Sequence, residues 1–96
     1  MIKSFANQGT DDIYHGIDSK AAHKYPSEIH DRSADRMVLL AAATVLKDLL
    51  KNPGNHLEKL KGDLADKYSI RVNRQWRITF DWNQGNAYQV NLVDYH

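Results

Sequence analysis

Apolar and polar residues alternate through the second half of the chain. Between positions 68 and 73, Ile70 and Val72 take one parity while Ser69, Arg71 and Asn73 take the other. Between 75 and 82, Trp76, Ile78, Phe80 and Trp82 share a parity opposite Gln75, Arg77, Thr79 and Asp81. A period of two puts successive side chains on opposite faces of a strand. Asn83-Gln84-Gly85-Asn86 reads as a hairpin turn, and Tyr88, Val90 and Leu92 continue the apolar face beyond it. Strands with one apolar and one polar face form an antiparallel sheet that rests on helices and leaves its other face available.

The first half follows a different rhythm. Met1 to Phe5 predicts a short first strand, and Gly9-Thr10-Asp11-Asp12 offers an N-cap for a brief helix from Thr10 to about His15. A second helical stretch is expected over Ser19 to Lys24. Pro26 then forces a boundary, after which Ser27 can cap a long helix reaching about Leu50. Its apolar residues, among them Met37, Val38, Ala41, Val45, Leu46, Leu49 and Leu50, recur at spacings of three and four and predict a stripe buried against the sheet. Asn52-Pro53-Gly54-Asn55 stops the helix. Helices first and then a three-stranded meander define an α+β fold. Residues 1–96 read as a single domain, with one core and no internal repeat, linker or low-complexity segment.

Composition narrows the class. The chain has no cysteine, so disulfides and thiolate metal sites are excluded, which suits a reducing cytoplasm. No apolar run approaches the ~20 residues of a membrane span, and Met1 to Phe5 lacks the apolar region of a signal peptide. His15, His23, His30 and His56 show no metal-ligand spacing, and neither a metal nor another cofactor is expected. The formal net charge is only +1, but its distribution is uneven. Lys59, Lys61, Lys67, Arg71, Arg74 and Arg77 are opposed in that stretch only by Asp63 and Asp66. Such a stripe is a candidate phosphate footprint, with a solvated sheet face as the equal alternative.

Candidate chemistry lies at the C-terminus. Asp94, Tyr95 and His96 follow the last strand, three side chains able to hold or move protons beside the cationic stripe. Strand parity sends Arg71 and Arg77 to the face opposite the core, while Lys61 stands in a loop marked by Gly62. Together they predict a shallow groove. Acid–base groups next to phosphate-binding charge are what RNA cleavage through the 2′-hydroxyl needs, and that reaction needs no metal. Taken alone, a terminal histidine is more often a frayed end.

Leu60-Lys61-Gly62-Asp63, Tyr68-Ser69-Ile70-Arg71-Val72, Gln75-Trp76-Arg77-Ile78-Thr79-Phe80, Gly85-Asn86-Ala87-Tyr88 and Val93-Asp94-Tyr95-His96, with Met1-Ile2-Lys3-Ser4-Phe5 at the start, resemble the HigB branch of the RelE/ParE toxin superfamily. The resemblance implies a bacterial toxin of a type II toxin–antitoxin pair that cleaves mRNA on the translating 70S ribosome. It assigns catalytic roles to Lys61, Arg77, Asp94, Tyr95 and His96. It also implies a helix-turn-helix antitoxin, through whose complex alone the toxin meets operator DNA. Lys59, Lys67, Arg71 and Arg74 are the expected RNA and ribosome contacts, with Arg32, Arg36 and Lys47 as further candidates on the long helix, where ordinary solvated charges or pairs with Asp31, Asp35 and Asp48 are the equal alternative. Some family members carry a histidine three residues before the loop lysine; here that position is Glu58, read first as a surface acid paired with a nearby lysine. His56, two residues further upstream, is not expected to reach the site. A toxin that binds DNA gyrase on the same fold, and a silent antitoxin-binding relative, remain the alternatives.

Overall fold

The computed structural model describes residues 1–60 and 67–95. Helix α1 spans Gln8–Tyr14, a 3₁₀ turn Ala22–Lys24, another Ser27–Ile29, and helix α2 His30–Ala42. Further 3₁₀ turns at Leu46–Lys51 and Pro53–Asn55 lead into strands β1 Glu58–Lys59, β2 Lys67–Arg71, β3 Trp76–Asn83 and β4 Asn86–Asp94. The strands form one antiparallel sheet in the order β1-β2-β3-β4. The first residues join its far edge through isolated parallel bridges, Ile2 to Ala87 and Phe5 to Val90. The α+β architecture agrees with the sequence pattern; among the described residues β1 adds a fourth strand to the expected three-stranded meander, and the expected first strand over Met1 to Phe5 is reduced to these two bridges.

Helix α1 is capped by Asn7, not by the expected Gly9–Asp12 segment: its side-chain oxygen accepts from the Thr10 amide at 2.8 Å. The hydroxyl of buried Thr10 in turn accepts from the Leu92 amide at 3.2 Å, which ties α1 to β4. Helix α2 is shorter than its periodicity suggests. It ends at Ala42 because the Asp48 carboxylate captures the next free donors, the Thr44 amide at 2.9 Å, the Val45 amide at 3.3 Å and the Thr44 hydroxyl at 3.1 Å. Such a local side-chain bond offers the backbone an alternative to the helix ladder. Ala43 is accordingly extended, and Val45 and Leu50 are exposed where a continuous stripe would have buried them. Nor does Ser27 cap α2, which follows directly from the 3₁₀ turn.

Helix residues Ile13, Met37 and Leu40 pack with Ile70, Ile78, Phe80, Val90 and Leu92 into one core on a single face of the sheet. Trp76 and Trp82 border it half-buried, as their parity predicts. The β3–β4 turn has positive φ at Gln84 and Gly85, the pair of left-handed residues that a two-residue hairpin requires. One departure lies in β4. The register shifts between Thr79 and Asp81, and Gln89 takes a φ of 52°. This bulge moves Tyr88 opposite Asp81 on the outer face and gives the core position to Ala87, so Tyr88 does not continue the apolar face.

Candidate active site

Cross-strand register assembles the outer face of the sheet. Glu58, Ser69, Thr79 and Asn91 form one row, and Arg71, Arg77 and Val93 the next. Arg77 sits among them only 8% exposed. Its Nε donates to the Ser69 hydroxyl at 2.8 Å, and its Nη2 to the His56 carbonyl at 2.5 Å and to the Ser69 carbonyl at 3.4 Å. Neutral acceptors thus fix the guanidinium, and one half-exposed carboxylate stands at the edge of ion-pair range. The nearest described carboxylate oxygen is Glu58 Oε1, 3.9 Å from Nη1. Among the described residues Glu58 pairs with Arg77 while staying about half exposed, as a surface acid does.

His56 also departs from expectation. It adopts a left-handed conformation, φ 44°, at the exit from the Pro53–Asn55 turn. The unusual backbone aims its carbonyl at Arg77, so this residue reaches the site through its main chain. A non-glycine residue there carries strain that the surrounding turn must overcome.

Tyr95 completes the described part of the site. Its ring lies 5.7 Å from the Arg77 guanidinium carbon, within cation–π range, and the residue is 43% exposed. The Tyr95 amide donates to the Gln75 carbonyl at 2.7 Å, which holds the chain to the sheet up to the residue before His96. Asp94 alternates with Tyr95 onto the other side of β4, where its carboxylate accepts from Gln75 Nε2 at 2.9 Å. Tyr95 also lines an open groove of about 420 Å³ with Ala6, Lys67, Thr79, Asn91 and Val93.

The remaining cations are spread around this centre. Lys67 borders the groove but is tied to Asp81 at 3.0 Å. Arg71 is the cross-strand partner of Arg77, and its Nε donates to the Asn73 carbonyl at 3.1 Å. Lys59 and Arg74 are exposed. Lys61 and His96 lie outside the described residues. Sequence reasoning missed the part played by Ser69, whose parity with Arg77 was legible but whose direct bond needed the β2–β3 register.

The arrangement can hold an anion against a fixed arginine beneath an aromatic ring. Among the described residues no group of three or more histidine or acidic side chains is placed to hold a metal ion, and no helix is long and apolar enough to cross a membrane. A family model described as the RelE-like toxin of the type II toxin–antitoxin system HigB matches residues 3–96. The chain is 37% identical over 97 residues to Endoribonuclease HigB of Proteus vulgaris, covering 100% of both chains. It is 35% identical over 92 residues to Toxin HigB-1 of Vibrio cholerae serotype O1, covering 96% of this chain and 95% of that one. In fold it is similar to the structures of the YoeB-YefM complex from Staphylococcus aureus and the YoeB/ParE toxin from Agrobacterium tumefaciens. The TM-scores are 0.57 and 0.56 at 14% and 15% identity. The first alignment covers 100% of this chain and 98% of the other, the second 99% and 100%.

Proposed function

Because the chain belongs to the HigB-like family of RelE-like toxins from type II toxin–antitoxin systems, we infer that it is an endoribonuclease that cuts mRNA on the ribosome. The observation that carries this reading is Arg77, buried on neutral acceptors with Tyr95 beside it and only a 3.9 Å contact to half-exposed Glu58 competing with a phosphate for its charge. The activity in the name of the Proteus vulgaris relative supports the reaction class.

Cleavage removes the proton from a 2′-hydroxyl, forms a bond from that oxygen to phosphorus and breaks the bond to the 5′-oxygen, which takes up a proton. A 2′,3′-cyclic phosphate and a 5′-hydroxyl result. Arg77 and Lys61 neutralise the extra charge on the phosphorane. His96 moves the proton, since its ordinary pKa lies near neutrality. Tyr95 stacks on a base or positions the sugar, and Asp94 orients the terminal residue. General acid–base catalysis contributes about 10²–10⁴-fold, so the ribosome must supply the in-line alignment of the message.

A target on the ribosome means action in the cytoplasm. Lys59, Lys67, Arg71 and Arg74 serve as RNA and ribosome contacts, and a helix-turn-helix antitoxin neutralises the toxin. Primer extension on an mRNA in a bacterial cell-free translation reaction tests the proposal. Cuts that follow the reading frame and require ribosomes are expected. Blocked translation with an intact message would overturn the nuclease, and a supercoiling assay would then test gyrase as the target.

A further inference from the structure

Beside Arg77 lies a second cationic feature of a different build. Arg32 and Arg36 from α2 converge with Arg71 at the end of β2 and Arg74 in the turn after it on an open cavity of about 240 Å³, bordered by Gly54 and His56. The cavity lining contains four guanidiniums and no carboxylate. None of the four forms an ion pair among the described residues, although ion pairs do form elsewhere in the protein. Surface arginines left to themselves find acids easily in a chain with Asp+Glu 12 against Lys+Arg 13. Here no acid lines the cavity with them.

The gathering is held in place. Arg36 Nη1 donates to Asn55 Oδ1 at 2.9 Å, and Asn55 is itself buried and bonded to the Leu49 carbonyl at 3.0 Å. Arg71 is fixed by the Asn73 carbonyl. Both anchors are neutral and so leave the positive charge intact. Gly54 makes room: a Cβ there would stand 3.3 Å from Arg36 Nη2 and 3.1 Å from Asn52 Oδ1. Planar forks on fixed stems are suited to phosphate oxygens.

Its position says which phosphate. Arg71 is paired directly with Arg77 across β2 and β3, and His56 both borders the basin and gives its carbonyl to Arg77. We propose that the Arg32–Arg36–Arg71–Arg74 basin binds a backbone phosphate of the single-stranded RNA being cut, flanking the scissile one. The inference rests on the ribonuclease reading and adds to it a second anchor that sets how the strand crosses Arg77. Backbone contacts of this kind fix register without reading sequence.

The test is fluorescence anisotropy of the full chain with a labelled single-stranded RNA made uncleavable by 2′-O-methylation, over a series of salt concentrations. Arg32 and Arg74 are exposed and their side chains make none of the described hydrogen bonds, so R32Q/R74Q should fold normally. Its plot of log affinity against log salt should be shallower than wild type by about 0.7–1.4, one to two phosphate contacts on a single strand. Affinity should fall about equally for unrelated sequences. The control K3Q/K20Q removes the same charge elsewhere and should keep the wild-type slope. Equal slopes in both double variants would overturn the basin as a site. A loss confined to a duplex hairpin RNA would reassign it to structured RNA, and a loss confined to polyglutamate would reassign it to an acidic protein; either overturns the proposal. The same wild-type protein in the translation reaction separates the two readings. Uncut message with a slope that still depends on the basin overturns the nuclease and leaves the phosphate site, whereas cut message with no such dependence does the reverse.

Discussion

Arg77 is held by Ser69 and by the His56 carbonyl, so replacing it removes a charge and also leaves three acceptors without their donor around a nearly buried side chain. Loss of activity in Arg77→Ala would therefore mix chemistry with stability. Ser69 offers the cleaner test because it touches Arg77 without being an obvious partner for RNA. Ser69→Ala deletes one hydrogen bond to a charged group, an interaction of about 1.5–3 kcal/mol. The expected result is a 10- to 100-fold lower single-turnover rate at saturating RNA, with half-saturation little changed and activity largely restored by Ser69→Thr. An unchanged rate would mean that the orientation of Arg77 does not depend on Ser69. The terminal residue calls for a different experiment. Deleting His96 should abolish most ribosome-dependent cleavage while leaving the melting temperature within about a degree, since the last described sheet bond is made by the Tyr95 amide. Full cleavage by the truncated protein would remove His96 from the mechanism.

At the scale of elements, α2 marks where pattern and structure part. Spacings of three and four run on to Leu50, but periodicity records only which residues are apolar, not which side chain will compete for the backbone. Asp48 does so, and its four backbone and side-chain neighbours hold its pKa down from 3.8 to about 2, the Thr44 and Val45 amides contributing most. A lowered folded-state value means that the charged carboxylate stabilises the fold. That stabilisation is complete above the ordinary carboxylate range and disappears as pH falls through about 2. Asp48→Asn should therefore lower the urea midpoint at pH 6, with the gap to wild type closing between pH 4 and pH 2. A gap independent of pH would show that the charge plays no part in ending the helix. The Gln89 bulge is the other illegible element. A period of two cannot announce an inserted residue, so Tyr88 was assigned inward although the strand itself was placed correctly. Parity did suffice for β3, where the tryptophans, Ile78 and Phe80 face the core and Arg77 and Thr79 do not.

In the whole molecule, the site depends on a sheet edge that the first residues cover. The meander and its outer-face cations were readable from the second half alone, because each strand there carries its own alternation. The closure of β4 was less so, since it joins residues more than eighty positions apart. The Lys3 and Ala6 amides donate to the Ala87 and Val90 carbonyls at 2.8 and 2.9 Å, the Ser4 hydroxyl accepts from the Gln89 amide at the bulge at 2.9 Å, and Asn7 Nδ2 reaches Asn91 Oδ1 at 2.8 Å. Asn91 and Ala6 both line the groove beside Tyr95, so this seam forms one wall of the candidate site. Deleting residues 1–5 would uncover the β4 backbone and strip half-buried Ile2 and Phe5 from the core. Partial loss of two apolar side chains, each worth about 1.5–3 kcal/mol when fully buried, together with the lost bridges, should cost about 2–4 kcal/mol. Against the ~5–15 kcal/mol typical of a folded domain, that is a large fraction. The urea midpoint should drop sharply, and gel filtration should reveal dimers or larger species as the bared edge pairs with another copy. A monodisperse protein with the wild-type midpoint would mean that β4 closes the sheet unaided and that the groove wall stands without its N-terminal strand.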